Sequence, residues 1–130
     1  MLTFDSFSPQ EGLPIYLQII RHIKRGIAAG TVAAGDELPS RRVLSAQLGV
    51  NPNTVQKAYR LLEEEGLITS RSGAKSEVSI PPGGVEAIRA QLLEQEMAVL
   101  VQNLRQSGLD KEAALALFGR LWTESEEGTL

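Results

Sequence analysis

Four cations, Arg41, Arg42, Lys57 and Arg60, and no acid lie between positions 39 and 62, among the amides Asn51, Asn53 and Gln56 and the hydroxyls Ser40 and Thr54. Side-chain amides can pair with an adenine edge, and long cations hold phosphates or a guanine edge. Such a set of groups suits the groove of duplex DNA. The spacing agrees, because Asn53, Gln56, Lys57 and Arg60 fall at i, i+3, i+4 and i+7, along one side of a helix. Val55, Ala58 and Leu62 mark another side. One side packs, and the other is left to touch a partner.

The elements that must position these groups are two short helices joined by a tight turn, over residues 39–66. Gly49 and the Asn51-Pro52 step interrupt the helical spacing. Asn51 is the expected N-cap of the second helix and Pro52 its first residue, so Asn53 and Thr54 stand at its leading end. Ser40 caps the first helix. Arg41 and Arg42 then occupy a first turn whose dipole disfavours cations, which suits an anion supplied from outside. A helix-turn-helix lays its second helix in the major groove with its N-terminal residues against the bases. A merely solvated helix would also be polar outside; the conjunction of Ser cap, Gly turn, Asn-Pro start and charge of one sign favours the DNA reading.

The flanks add to this unit. Residues 1–12 read as an irregular arm with Phe4 and Phe7 as anchors. Residues 13–30 are expected to be helical, with Ile15, Ile19, Ile20, Ile23 and Ile27 facing inward, Gln18, Arg21, Lys24 and Arg25 facing outward, and Gly30 as the stop. His22, the single histidine, has no metal-ligating neighbour at helical spacing and is expected at the surface or its boundary. Residues 31–38 are too short for a helix and suit a brief strand or turn. Glu63, Glu64 and Glu65 point in successive directions, cannot converge on one ion, and suit a solvated helix end. After Gly66 the period changes: residues 67–70 and 76–80 are strand-like, joined by Arg71-Ser72-Gly73-Ala74-Lys75. A hairpin with glycine at its tip and a cation on each side can touch the sugar-phosphate backbone or minor groove.

In order and spacing, PIYLQIIRHIKRGIAAG, then GDELPSRRVLSAQLGVNPNTVQKAYRLLEEEGLI, then a wing resembles the GntR family of bacterial transcription regulators over about residues 13–80. The resemblance implies a winged helix-turn-helix. It also implies operator contacts from Arg42 of the LPSxR segment, from Asn51, Asn53, Thr54 and Gln56 at the start of the recognition helix, and from Arg71, Ser72 and Gly73 of the wing. Lys57 and Arg60 are added from the helical face, and Ser40, Arg41 and Lys75 from the flanks. The wing departs from the usual RRGxGTFV: Ser72 replaces an arginine, Lys75 the second glycine and Glu77 an aromatic.

Pro81-Pro82-Gly83-Gly84 reads as a boundary. Beyond it, residues 85–106 form a long helical pattern and Gly108 a stop, and Asp110 caps a second helix. Their stripes, Ile88, Leu92, Leu93, Met97, Leu100 and Leu104 on one and Leu117, Phe118, Leu121 and Trp122 on the other, are wider than two helices can cover for each other. A second copy of the chain is the expected cover, as a two-fold homodimer. Most GntR-family members carry a large effector domain here. The 48 residues from position 83 onward instead resemble the short YtrA-like subfamily, often linked to transporter operons. An effector ligand, if one exists, is expected at the dimer interface.

The expected fold is thus mainly α with a small β-wing: an arm (1–12), a winged helix-turn-helix (13–81) and a helical dimerisation region (82–130). A net charge of −3 hides an uneven distribution. Residues 1–82 hold nine basic against eight acidic side chains, and residues 83–130 four against eight. The absence of cysteine excludes disulfides and thiolate sites. No cofactor or membrane partner is expected, and the N-terminus lacks a secretory pattern, which suits the cytoplasm. One histidine, no cysteine and no carboxylate pair placed by spacing argue against an enzyme. The rival reading is a winged-helix module that binds protein rather than DNA.

Overall fold

Ile19, Ile23 and Ile27 of helix α1 (Ile15–Ala29) and Val55, Ala58, Tyr59 and Leu62 of helix α3 (Pro52–Glu64) are almost wholly excluded from solvent and form the centre of the core. The isoleucine spacing of three and four residues puts one continuous apolar stripe against the matching stripe of α3. Leu44 of the intervening helix α2 (Arg41–Leu48) closes one side. A two-stranded antiparallel sheet, β1 (Ile68–Arg71) and β2 (Lys75–Val78), contributes Ile68 and Val78. The structure, a computed structural model, describes residues 2–9, 12–71 and 75–129, with Arg71 by its backbone alone. Two helices follow the sheet, α4 (Gly84–Gln106) and α5 (Lys111–Glu126).

The chain divides into two units, Met1–Leu92 and Leu93–Leu130, a boundary inside α4 rather than at the Pro81-Pro82 step. Pro81, Pro82 and Gly83 do end the strand run; what they do not do is end the unit. Ile88 and Leu92, expected on the dimerisation face, are each 6% exposed and belong to the core of the first unit. Arg89, between them, donates to the Ala28 carbonyl (2.8 Å), tying this first part of α4 to the end of α1.

Two outward-facing assignments in α1 also change. Gln18 is buried and its Nε2 donates to the Leu13 carbonyl (2.7 Å). Lys24 is buried as well, and its ammonium donates to Glu65 Oε1 (3.0 Å) and Gln91 Oε1 (3.1 Å). Glu65 is therefore not simply a solvated end: it is the partner that makes a buried lysine tolerable.

The arm residues Leu2 and Phe4 are buried. Phe4 stacks on His22 (4.6 Å between centroids), Phe7 meets the same ring edge-on, and His22 Nε2 donates to the Thr3 carbonyl (2.6 Å). His22 is half-buried, as its boundary position predicts, and holds the arm. Within residues 31–38, a turn is followed by residues 35–38 running along β2. Gly35 N–H donates to the Val78 carbonyl, Val78 N–H to Asp36 and Leu38 N–H to Ser76, with one bridge between Glu37 and Glu77.

Gly26 has no room for a side chain. A Cβ there would lie 2.5 Å from Val32 Cγ2. Val32 is buried, and the amides of Thr31 and Val32 both donate to the Gly26 carbonyl, so this corner cannot retreat. In an open helix Gly to Ala gains about 1 kcal/mol, whereas overpacking costs about 1–3 kcal/mol. Gly26→Ala is therefore expected to lower stability by up to about 2 kcal/mol in urea denaturation; a stabilised variant would contradict this packing.

Candidate nucleic-acid interface

Side-chain caps set both helices of the turn unit. Ser40 Oγ accepts from Val43 N–H (3.1 Å), starting α2. Gly49 ends it at φ 68°, a left-handed backbone that a β-carbon disfavours. Across the turn, Ser45 Oγ donates to the Val50 carbonyl (2.6 Å) while Val50 N–H donates back to the Ser45 carbonyl (3.1 Å). Asn51 Oδ1 accepts from Asn53 N–H (2.8 Å), and Pro52 opens α3. Asn51 uses one lone pair of its oxygen on the cap, which leaves its NH₂ to donate to a partner.

With Val55, Ala58, Tyr59 and Leu62 buried and Leu61 packed partly against the core, the polar residues of α3 are turned outward. Asn53, Gln56, Lys57 and Arg60 are exposed, and Thr54 is half-buried beside them. Arg42 and Ser40 are exposed at the start of α2, so this helix end and the α3 ridge both belong to the first unit's surface. The leading end of α3 also carries the positive end of the helix dipole, which favours a nearby phosphate.

Arg41 behaves differently from Arg42. It is half-buried, with its guanidinium 5.5 Å from the centre of the Tyr59 ring and its Nε buried without a hydrogen-bond partner. Tyr59 in turn donates to the Pro39 carbonyl (2.7 Å). Burial pushes the Tyr59 phenol well above its usual pKa, with Arg41's positive charge a smaller opposing influence, so it stays protonated as a donor. Together these contacts hold the segment before α2 against α3. Sequence reasoning missed both tyrosines: Tyr59 stands four residues after Val55, which is the available signal, but nothing local connects Tyr16 to Lys57. Lys57 Nζ lies 4.1 Å from the centre of the Tyr16 ring in α1.

In the wing, Arg71 pairs in register with Lys75 at the end of the strands next to their connection, and Lys75 is exposed. Ser72, Gly73 and the side chain of Arg71, all expected to contact DNA, lie outside the described residues. Among the described residues no cluster of three potential metal ligands occurs, and no described helix is long and apolar enough to cross a membrane.

The second unit presents a different surface. Asp110 Oδ1 accepts from Ala113 N–H (2.9 Å) and caps α5, after the turn at Gly108. No residue of α5 is buried. Leu93, Met97, Val99, Leu100, Val101, Leu115, Phe118 and Trp122 are all at least 40% exposed, an apolar surface without cover in one chain. Leu104, Leu117 and Leu121 are half-buried.

Comparison with known proteins agrees with this architecture. Residues 15–78 match the family described as bacterial regulatory proteins, gntR family. The HTH-type transcriptional repressor YtrA of Bacillus subtilis is 37% identical over 106 residues, covering 82% of this chain and 77% of that protein. A GntR family transcriptional regulator from Listeria monocytogenes superposes with a TM-score of 0.71 at 31% identity, covering 86% of this chain and 98% of the other. YtrA from Sulfolobus acidocaldarius, a GntR-family transcription factor, gives a TM-score of 0.52 at 34% identity over 74% of this chain and 96% of its own. Winged helix, capped recognition helix and YtrA-like relatives agree: the chain is a transcription regulator belonging to the GntR family.

Proposed function

We propose that the chain acts as a homodimeric, sequence-specific repressor that binds an inverted-repeat operator in the cytoplasm. The observation that carries this reading is the division of α3 into a buried side and an exposed side that, from Asn53 through Arg60, carries only amides and cations. Asn53 and Gln56 are the groups suited to base edges; Arg42 and the wing cations Arg71 and Lys75 suit the backbone or a guanine. The exposed apolar residues of the second unit support self-association, which would give two recognition helices the fixed spacing that paired half-sites need. Control of a transporter operon is carried by the YtrA-like resemblance, and repression by the name of the Bacillus subtilis relative.

Footprinting on the promoter beside the gene, followed by a salt titration of the protected duplex, tests the reading. Protection of two half-sites about one helical turn apart is expected, with affinity falling steeply as salt rises. No protected site, or affinity that ignores salt, would favour the protein-binding alternative, to which the net charge of −3 is better suited.

A further inference from the structure

Lys57 lies on the outward ridge of α3, yet its ammonium is drawn toward α1, 4.1 Å from the centre of the Tyr16 ring. A cation over an aromatic face is attracted by the ring quadrupole, and lysine otherwise loses considerable side-chain freedom when it binds. Tyr16 is half-buried in the first turn of α1, which is packed against α3, so the ring itself is a fixed platform. Arg60, the other cation of the ridge, lies over no aromatic ring among the described residues.

Resting on the DNA-binding reading above, we propose that Tyr16 is a positioning residue. It holds Lys57 at the α1 edge of the recognition helix as a preset phosphate clamp and withdraws it from base reading. Sequence discrimination is then left to the amides and to Arg60. The arrangement suits a domain whose cations barely outnumber its acids: a charge held in place contributes more to phosphate binding than one that must be ordered on arrival.

The test uses the full chain, a duplex selected from a random-sequence library, and a scrambled duplex of equal composition. Lys57→Gln is expected to weaken both duplexes by a similar factor and to reduce the slope of log affinity against log salt by about one per clamp. Tyr16→Leu is expected to weaken both about two- to five-fold, Tyr16→Phe to restore binding because it keeps the ring face, and Tyr16→Leu to have no effect once Lys57 is glutamine. Relaxed discrimination at one base pair in Lys57→Gln would make it a base reader and overturn the proposal; so would equal losses in Tyr16→Leu and Tyr16→Phe.

In the free protein, the Lys57 side-chain protons should resonate upfield and lose that shift in Tyr16→Leu, read by NMR. If the shift is present but no duplex binds in a salt-dependent way, the DNA reading has failed and the clamp fails with it. If duplexes bind and the shift is absent, the pairing alone has failed. Tyr16→Phe and Lys57→Gln supply the answer even if Tyr16→Leu does not fold.

Discussion

Arg42→Ala combined with Asn53→Ala is expected to leave the melting temperature nearly unchanged and to abolish preference for the operator. Both side chains are exposed, and neither supplies a cap: Ser40 starts α2 and Asn51 starts α3. Alanine is also a better helix former than asparagine. Each lost bidentate contact removes about 1–3 kcal/mol of discrimination, so together they amount to a loss of about 30-fold or more at one half-site. Fluorescence anisotropy on specific and scrambled duplexes reads this directly. Undiminished preference in the double variant would mean that the α2 and α3 leading ends do not face the bases.

The second large effect is expected in the tail. Trp122 is 61% exposed and its ring lies 5.7 Å from that of Phe118, with Leu115 also exposed on the same helix. Buried tryptophans dominate the energetics of many interfaces, at about 2 kcal/mol or more when truncated. In a two-fold interface each substitution occurs twice. With both copies changed, Trp122→Ala is therefore expected to raise the dimer dissociation constant by about 700-fold, and by no less than the roughly 30-fold of one copy, measured by sedimentation equilibrium. Since α5 contributes no buried residue to either unit, the first unit's unfolding should be unaffected. A wild-type chain that stays monomeric at micromolar concentration, or a variant that dimerises as tightly as wild type, would remove the tail from the dimer interface.

These two expectations differ in how much of their basis was legible before the fold. The outward ridge of α3 was: Val55, Ala58 and Leu62 are buried while Asn53, Gln56, Lys57 and Arg60 are exposed, just as the spacing predicts. The tail was legible only in part. Periodicity marked Ile88, Leu92 and Leu93 as one stripe, but cannot say which neighbour covers which portion. The first unit takes Ile88 and Leu92, and the exposed surface begins at Leu93. Lys24 shows the same limit, because a lysine on a helix looks solvent-facing until Glu65 and Gln91 arrive beside it.

The sequence by itself determined the helices, their starts and stops, and which side of α3 turns outward. Those features depend on residues within a few positions of one another: Ser40 with Val43, Asn51 with Asn53, Asp110 with Ala113, and apolar groups repeating every three or four residues. Only the tertiary structure decided that Tyr16 sits under Lys57, that Lys24 bridges to Glu65 and Gln91, that residues 35–38 line β2, and that α4 begins inside the first unit. Such contacts join groups far apart in the chain, and their geometry exists only after packing has brought the backbone segments together.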